Sequence, residues 1–493
     1  MKHISLERRM KMRLSKMFKN APTVNVTGLC FDSRKVKPGD IYFCLPGLTF
    51  DGHDFIDSAI ENGAICIVHS KEIEDKKLGA IYIRVADVNE AMNQCARLFY
   101  QKPSDKMLMF GITGTNGKST IANIIRSILN HKKPCGYIGT IAIEYGNVKL
   151  MPDLTTPDAL FLQSKLSDMV NAGMEACALE VSSHGLAQGR VNGIDFDVAI
   201  FTNFTYDHLD FHGTLENYFA SKSLLFKERV HPSGVSVLNV DDEKYKELLP
   251  LCRSRVVSYG IEQEADYRAI DIQMNYERVK FNLVYEGNIY PVVTNLVATY
   301  NVYNLLAAIA ALHETGMELN EIIQYCVDIP QVQGRLEQIR EGQDYNVIVD
   351  FAHTPDGIEK MMQFGRSITK PGKDLIAVFG SAGKRDVAKR KVFGELADQY
   401  CDMLIVTEDD PRDEDPREIA MQIKSGIKNI RNIYIEDRYE AIRQAIDSAN
   451  TGDTILILGK GDETFMYREN GRAPWMGDHL VAKECILRNF EKN

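Results

Sequence analysis

This sequence has no long apolar run, no paired cysteines and no internal repeats. None of its apolar runs reaches the roughly 18 residues that a membrane-spanning helix needs. Its ten cysteines are scattered without a Cys-x-x-Cys pair, so we expect reduced thiols and no structural zinc. Charged residues interrupt each apolar stretch of residues 1–20, so no signal peptide fits and we expect a solvated amphipathic helix there. Together these absences predict a cytoplasmic protein.

The chain also lacks an excess of basic residues. Its formal net charge is −10 at pH 7, which argues against general binding to nucleic acid. The composition, with 44% hydrophobic and 26% charged residues, is typical of a globular protein. At 493 residues, the chain is long enough for about three domains, each with its own core.

Short apolar runs alternate with amphipathic segments along most of the chain, which predicts an α/β fold with mostly parallel sheets wound on both faces. A strand-rich stretch over 265–293 interrupts this alternation, and 331–334 is typical of a boundary. We therefore divide the chain into domains 1–105, 106–333 and 334–493. The predicted strands are 41–45, 64–68, 107–113, 176–179, 198–201, 235–238, 347–349, 375–379, 404–406 and 455–458.

A glycine loop between a predicted strand and a predicted amphipathic helix is the most informative segment. The loop and the start of the helix predict a nucleotide site formed by Gly114, Thr115, Asn116, Gly117, Lys118, Ser119 and Thr120. Backbone N–H groups in such a loop bind phosphates, the Lys118 ammonium adds charge, and the Ser119 hydroxyl can ligate Mg2+. The loop is not a standard Walker A motif, because Ile112 stands where that motif has glycine.

Further candidate residues follow the next predicted strands. Glu180 ends one of them and is well placed to hold Mg2+, although it would also suit a surface residue that caps a helix. Asp207 and His208 follow another strand; their spacing alone suggests zinc or iron, but no third nitrogen or sulfur ligand is obvious. Lys222, taken alone, is typical of a solvated lysine on a helix.

These segments resemble those of the Mur ligase superfamily, which includes folylpolyglutamate and cyanophycin synthetases. The resemblance extends to the short loop at 114–119, the string 202–210, the Tyr-x-x-x-Lys-x-x-Leu-Phe pattern around Lys222, and segments 301–304, 334–337 and 350–355. It implies an ATP-dependent ligase that joins a carboxylate to an amine through an acyl phosphate. It also implies a central P-loop-type parallel sheet, flanked by an N-terminal UDP-binding α/β domain and a C-terminal Rossmann-like α/β domain.

The resemblance also implies roles for individual residues. The implied catalytic residues are Lys118, Glu180, His208 and a carbamylated Lys222. The implied ligands of two Mg2+ ions are Ser119, Glu180, His208 and the Lys222 carbamate. ATP is further implied to contact Asn301, Arg335 and Asp350, although Arg335 alone would also suit a boundary salt bridge. Ala298 stands where the family has glycine, so that this turn is expected to differ.

Other segments resemble the branch that adds a diamino acid to UDP-MurNAc-L-Ala-D-Glu. This nucleotide-linked dipeptide is implied to contact Ser33, Thr155, Thr156, Ser182, Arg190 and Lys222. The diamino acid is implied to contact Arg390, Asp410, Arg412, Gly459 and Glu463. The resemblance thus implies three partners, which are ATP, the nucleotide-linked dipeptide and the diamino acid; we expect a monomer without nucleic-acid partner.

The implied diamino-acid pocket departs from the family pattern at two positions. Enzymes that use meso-diaminopimelate carry Asn where this chain has Asp410, and His where it has Asp462. Two arginines, Arg390 and Arg412, would clamp the distal carboxylate of diaminopimelate, whereas Asp410 would favour the ammonium of lysine. We favour meso-diaminopimelate, with lysine as the alternative. Further alternatives are another amide ligase, of the folylpolyglutamate or cyanophycin type, and a non-catalytic nucleotide-binding paralogue.

Overall fold

The computed structural model describes residues 10–47, 50–275, 277–327 and 329–492. Three main sheets follow one another along the chain, with strands drawn from 28–84, 108–294 and 337–458. The predicted α/β class is confirmed. The predicted boundaries, at 105/106 and 333/334, fall in the intervals between these sheets, and we retain them as a proposal. Within the described ranges, no helix is long and apolar enough to cross a membrane.

The first sheet has four parallel strands and is accompanied by two α-helices, Ile56–Glu61 and Val88–Phe99. In spatial order the strands are Gly28–Cys30, Asp40–Phe43, Cys66–His69 and Ile81–Arg84. The amphipathic helix expected over 1–20 is wrong for its described part. Met12–Arg13 instead pairs as a strand with Asn25–Val26, and only the short 3-10 turn Leu14–Lys16 follows it; Leu14 is fully buried in the core of this domain, so the segment is not a solvated helix. Residues 1–9 lie outside the described residues.

The central sheet has eleven strands, and antiparallel pairs form both of its edges. In spatial order they are Val148–Leu150, Ile143–Tyr145, Cys135–Ile138, Ala176–Glu180, Leu108–Thr113, Phe196–Phe201, Val230–Asn239, Arg255–Gly260, Tyr267–Met274, Val279–Tyr285 and Asn288–Thr294. The strand-rich stretch predicted over 265–293 is therefore one edge of this sheet. The phosphate-loop strand, Leu108–Thr113, lies between Ala176–Glu180 and Phe196–Phe201, and all three run parallel. Their carboxyl ends consequently bring the loop, Glu180 and residues after 201 to the same edge.

Helices cover the central sheet, and one of them extends the phosphate loop. Its Ile121, Ile124, Ile125 and Ile128 are fully buried, as the helical spacing of these residues predicts. The central helices are Lys118–Leu129, Ala159–Asn171, Ser183–Ala187, Leu209–His212, Leu215–Leu224, Tyr245–Leu248, Thr299–His313 and Leu319–Tyr325.

The third sheet has five parallel strands and one short antiparallel strand at its edge. In spatial order these are Glu337–Gln338, Asn346–Asp350, Thr454–Leu458, Leu375–Phe379, Met403–Val406 and Arg431–Tyr434. A separate hairpin, formed by Phe465–Arg468 and Gly471–Pro474, follows strand Thr454–Leu458 along the chain. The helices are Pro355–Ile368, Ala388–Tyr400, Pro416–Lys424, Arg438–Ser448 and Asp478–Lys492.

Candidate active site

The phosphate loop is shaped by two glycines that no other residue could replace without strain. Gly114 has φ 149° and Gly117 has φ 89°, and both lie in the region that favours glycine. A Cβ atom at Gly114 would collide with the Thr202 hydroxyl, and one at Gly117 would lie 2.5 Å from Asn304 Oδ1. The helix Lys118–Leu129 begins directly after Gly117. Its free backbone N–H groups therefore point into a tight turn that suits an anion.

Two lysines, the half-buried Lys118 and the buried Lys222, meet at the carbonyl oxygen of Gly114. Lys118 Nζ donates to Gly114 O at 3.0 Å and to Thr115 O at 2.9 Å, and Lys222 Nζ donates to Gly114 O at 2.7 Å. Lys222 is only 1% exposed, so it is not the solvated lysine that its helix position allows. Burial, and then the charge of Lys118, hold the pKa of Lys222 well below its ordinary value.

Glu180 lies fully buried at the end of its strand, so it is not a surface cap. Its Oε1 accepts hydrogen bonds from the Tyr137 hydroxyl at 2.5 Å and from Thr140 N at 3.1 Å, and Oε2 accepts from the Thr140 hydroxyl at 3.1 Å. These donors hold a buried carboxylate in one orientation. The sequence contained no pattern that pointed to Tyr137 or Thr140.

His208 lies on the wall of a cavity, and its Nε2 is 3.4 Å from the carboxylate of Asp207. Its φ of 54° places it in the left-handed region, directly before the short helix Leu209–His212. The His208 ring lies edge-on to the His184 ring, with 4.9 Å between centroids. The His208 side chain is exposed, whereas Glu180 is buried at the end of its strand and Ser119 is buried in the first turn of helix Lys118–Leu129.

The predicted dipeptide residues Thr155, Thr156, Ser182 and Arg190 lie next to Glu180. The Thr140 hydroxyl lies 3.0 Å from that of Thr155, and the Thr156 hydroxyl donates to Glu180 O at 2.8 Å and lies 3.1 Å from Ser182 Oγ. Arg190 donates to Thr156 O at 2.7 Å. Ser33 lies elsewhere, in the first domain, where its carbonyl accepts from Asn62 at 3.0 Å.

The first domain holds the loop that carries Arg190. Asn89 donates to Gln188 O at 2.8 Å, and Asn93 donates to Gly189 O at 3.0 Å. Asn93 Oδ1 accepts from Gly193 N at 3.1 Å. The two amides of helix Val88–Phe99 thus fix both ends of loop 188–193.

A first cavity, of about 630 Å3, lies between the central and third domains. Six of the predicted ATP residues line it, namely Asn116, Gly117, Thr120, Asn301, Arg335 and Asp350. The remaining predicted ATP residues, Gly114, Thr115, Lys118 and Ser119, belong to the adjoining loop and helix. One contact between the central and third domains beside this cavity is a hydrogen bond from Asn116 Nδ2 to Asp356 Oδ2, at 3.0 Å.

Arg335 presents a cation to this cavity with part of its hydrogen-bonding capacity unused. Its guanidinium lies over the Phe351 ring, 4.3 Å from the centroid, and within the described residues its buried Nε has no hydrogen-bond partner. An unpaired buried donor of this kind suits an anionic ligand. Asp350 differs, because its carboxylate accepts from Leu336 N at 2.6 Å and Ala352 N at 2.7 Å.

Ala298 lines the first cavity in a conformation that glycine would adopt more easily. It has φ 77° and ψ 144° and caps the helix that carries Asn301. The turn expected to differ thus keeps a backbone conformation typical of glycine, with a Cβ atom added. Asn301 Oδ1 accepts from Asn304 at 2.9 Å.

A second cavity, of about 650 Å3, adjoins the first, and Phe351, His353 and Thr354 line both. Four of the five predicted diamino-acid residues, Asp410, Arg412, Gly459 and Glu463, line it together with His208. Burial raises the pKa of Glu463 to about 7, against the opposing effect of Lys460. The second cavity therefore combines cations and carboxylates next to the nucleotide loop.

The structure does not bring Arg390 to this cavity. Arg390 is 1% exposed and donates to Glu414 Oε2 at 2.8 Å, to Gln422 Oε1 at 2.8 Å and to Ala382 O at 3.1 Å. Arg385 lines the second cavity instead and pairs with Asp210 of the central domain at 2.8 Å. The basic loop 383–386 follows strand Leu375–Phe379, and the rule that places sites at strand ends would have found it.

A buried ion pair holds the segments that line the second cavity. Arg438 and Asp478 are both fully buried, and Arg438 Nη2 lies 2.6 Å from Asp478 Oδ2. Arg438 also donates to Leu458 O at 2.8 Å and to Glu408 O at 3.2 Å. Because Gly459 and Asp409 follow these two carbonyls, the pair fixes the strand ends that line the cavity.

The donor set fits Mg2+ in part. The Ser119 hydroxyl and the Glu180 carboxylate supply oxygen atoms, which this ion prefers, whereas His208 offers nitrogen. Among the described residues, no three His, Cys, Asp or Glu side chains form a ready-made metal site. Two oxygen donors beside a phosphate loop match the way Mg2+ is bound between protein and nucleotide phosphates.

Fold and site together define a nucleotide-binding three-domain protein, and comparison with known families names its class. Three family models match in sequence: "Mur ligase family, catalytic domain" at 25–100, "Mur ligase middle domain" at 112–312 and "Mur ligase, glutamate ligase domain" at 334–461. The chain belongs to the Mur ligase family, which confirms the resemblance seen in the motifs.

Relatives and a solved structure match nearly the whole chain. A protein of Halalkalibacterium halodurans is 38% identical over 94% of this chain and 95% of its own, and one of Geobacillus kaustophilus is 40% identical over the same shares. Both are called UDP-N-acetylmuramoyl-L-alanyl-D-glutamate--2,6-diaminopimelate ligase. A solved structure of an enzyme with that name matches with a TM-score of 0.73 and 30% identity, covering 98% of this chain and 100% of its own.

Proposed function

We propose that this chain adds 2,6-diaminopimelate, in its meso form, to the D-glutamate carboxylate of UDP-MurNAc-L-Ala-D-Glu, with ATP as the energy source. The observation that carries the proposal is the junction of two cavities at His353. One contains the phosphate loop, and the other contains cations that suit the distal carboxylate of an amino acid. The near full-length relatives support the same substrates.

The phosphate loop and its lysines act on the phosphates. Loop N–H groups and the Lys118 ammonium hold the γ-phosphate while the D-glutamate carboxylate attacks it, forming an acyl phosphate and releasing ADP. Arg335 of the third domain, whose Nε has no hydrogen-bond partner among the described residues, neutralises phosphate charge. Asn301 and Asp350 line the remaining sides of the nucleotide site. Residues 155, 156, 182 and 190 orient the dipeptide, and Ser33 contacts the UDP group.

The amine then attacks the acyl carbon, and phosphate leaves from a tetrahedral intermediate. Arg385 and Arg412 hold the distal carboxylate of the amino acid, Glu463 holds its distal ammonium, and Gly459 permits close approach. Arg390 takes a positioning role, since it fixes the loops at 382 and 414. Contact between the domains, such as that of Asn116 with Asp356, excludes water that would hydrolyse the acyl phosphate.

Magnesium would be held by Ser119, Glu180 and the nucleotide phosphates, with His208 at a second position. Bound there, Mg2+ supplies positive charge that neutralises the phosphates and the developing negative charge. Glu180 is kept in place for this role by Tyr137 and Thr140.

Lys222 is suited to carbamylation. The neutral amine adds to CO2, so that a C–N bond forms and the nitrogen loses a proton to solvent, and the uncharged amine becomes an anionic oxygen ligand. Burial beside Lys118 favours the neutral amine that this step needs. If the proposal is correct, activity depends on dissolved CO2, and Lys222→Ala is rescued by a short-chain carboxylic acid.

Phosphate release from ATP with UDP-MurNAc-L-Ala-D-Glu tests the function, with meso-diaminopimelate and L-lysine offered in parallel. Turnover that prefers meso-diaminopimelate supports the proposal. Preference for lysine would show that Asp410 dominates the pocket. Absence of turnover with both, despite ATP binding, would favour another amide ligase or a non-catalytic paralogue.

A further inference from the structure

The second cavity contains an aspartate where a carboxylate-binding pocket should avoid one. Asp410 lines this cavity and belongs to the same turn as Arg412, which is proposed to bind the distal carboxylate. An uncompensated carboxylate at this point would repel the carboxylate of diaminopimelate and attract the ammonium of lysine.

The charge of Asp410 is matched by a lysine beneath the cavity wall. Lys460 is fully buried, and its Nζ donates to Asp410 Oδ1 at 2.7 Å. It also contacts the Glu463 carboxylate. Although burial opposes it, the carboxylates of Asp409, Glu463 and Asp410 hold the pKa of Lys460 above its ordinary value. Lys460 is therefore charged and offsets Asp410.

The same turn is held by the hairpin that follows Lys460. Asp410 and Arg412 have φ of 46° and 55°, a left-handed conformation that must be supported by neighbours. Tyr467 N donates to Asp410 Oδ1 at 2.9 Å, and Arg412 N donates to Tyr467 O at 2.9 Å. The Arg412 guanidinium lies 5.4 Å from the Tyr467 ring centroid. Asp410 is thus bound into the wall by two donors on one oxygen.

We infer that Lys460 is a specificity-determining residue, whose buried ammonium neutralises Asp410 so that the second cavity accepts an amino acid with a distal carboxylate. This inference rests on the proposed function. Asp410 then holds the turn that carries Arg412 in place. The preference between diaminopimelate and lysine depends on whether Lys460 is present to neutralise Asp410.

The test compares Lys460→Met with the double variant Lys460→Met/Asp410→Asn. In the single variant, the kcat/KM for meso-diaminopimelate relative to that for L-lysine should fall by about tenfold or more, because a carboxylate is left unpaired. In the double variant, most of this ratio should return, since Asn keeps an acceptor for Tyr467 N without charge. Both variants lack the Lys460 contact with Glu463, so their difference isolates Asp410.

Lys391→Met, at an exposed lysine paired with Glu395, is the matched control and should keep the wild-type ratio. Thermal unfolding and the KM for UDP-MurNAc-L-Ala-D-Glu show whether the variants fold, and Lys460→Gln replaces Lys460→Met if that variant does not. Equal losses with both amino acids, not reversed in the double variant, would overturn the inference and leave Lys460 with a structural role. Failure of the wild type to use either amino acid would instead contradict the proposed function.

Discussion

The two cavities present charged and polar groups by different means. In the first, the phosphate loop relies on backbone conformation at Gly114 and Gly117 and on N–H groups at a helix start. In the second, charged side chains are paired with distant residues: Asp410 with Lys460, 50 positions away, and Arg385 with Asp210, 175 positions away. A site built from backbone leaves a contiguous motif in the sequence, whereas a site built from ion pairs is assembled only by the fold.

The largest effect is expected at Lys118, beside the first cavity. Lys118→Ala removes the ammonium that the loop carbonyls hold, so phosphate release should fall on the order of 1000-fold. The matched control is Lys132→Ala, just beyond the end of the same helix, where an exposed lysine pairs with Glu321. Near wild-type turnover in Lys118→Ala would contradict the proposed role of the loop.

A buried pair should make the second cavity the more fragile of the two. Asp478→Ala leaves the Arg438 guanidinium buried without its partner, so the free energy of unfolding should fall by about 3–5 kcal/mol. Lys483→Ala, in an exposed pair on the same helix, should cost less than about 1 kcal/mol. Chemical denaturation measures both. A loss in Asp478→Ala no greater than that of the control would show that the pair is not a support.

The second cavity should respond to pH, because the pKa of Glu463 is raised to about 7. The carboxylate must be ionised to hold the distal ammonium. It is mostly protonated at pH 6 and mostly charged at pH 8, so the KM for meso-diaminopimelate should fall by about tenfold between these values. Steady-state kinetics measure this slope. Glu463→Gln should flatten it, and an unchanged slope in that variant would assign the titration to another group.

The smallest effect concerns the backbone of the first cavity. Ala298→Gly relieves the strain of φ 77° at the start of helix Thr299–His313. The free energy of unfolding should rise by about 1 kcal/mol, after the entropy cost of glycine is subtracted. Ala310→Gly, in the interior of the same helix, should lower it. Thermal unfolding of both variants gives the comparison, and a loss of stability in Ala298→Gly would show that the turn is unstrained.

The same contrast explains what the sequence could predict. The strands, the phosphate loop and the burial of its helix follow from apolar spacing and glycine placement, which are local. The sequence could not show which of Arg390 and Arg385 lines the second cavity, because both lie in one basic segment and only tertiary packing buries Arg390. Lys460 was equally hidden, since no spacing rule links it to Asp410. The strand at Met12–Arg13 depends on a partner at Asn25–Val26, which the interrupted apolar pattern of residues 1–20 does not reveal.

The amide contacts between helix Val88–Phe99 and loop 188–193 have a mechanical consequence. The loop carries Arg190, which is proposed to orient the dipeptide, while the helix belongs to the domain proposed to bind the UDP group. Binding of the UDP group at one end of the substrate thereby helps to position the dipeptide at the other end, where the reaction takes place. The first domain is therefore expected to affect the reaction as well as substrate binding. A substrate that lacks the UDP group would lose rate as well as affinity.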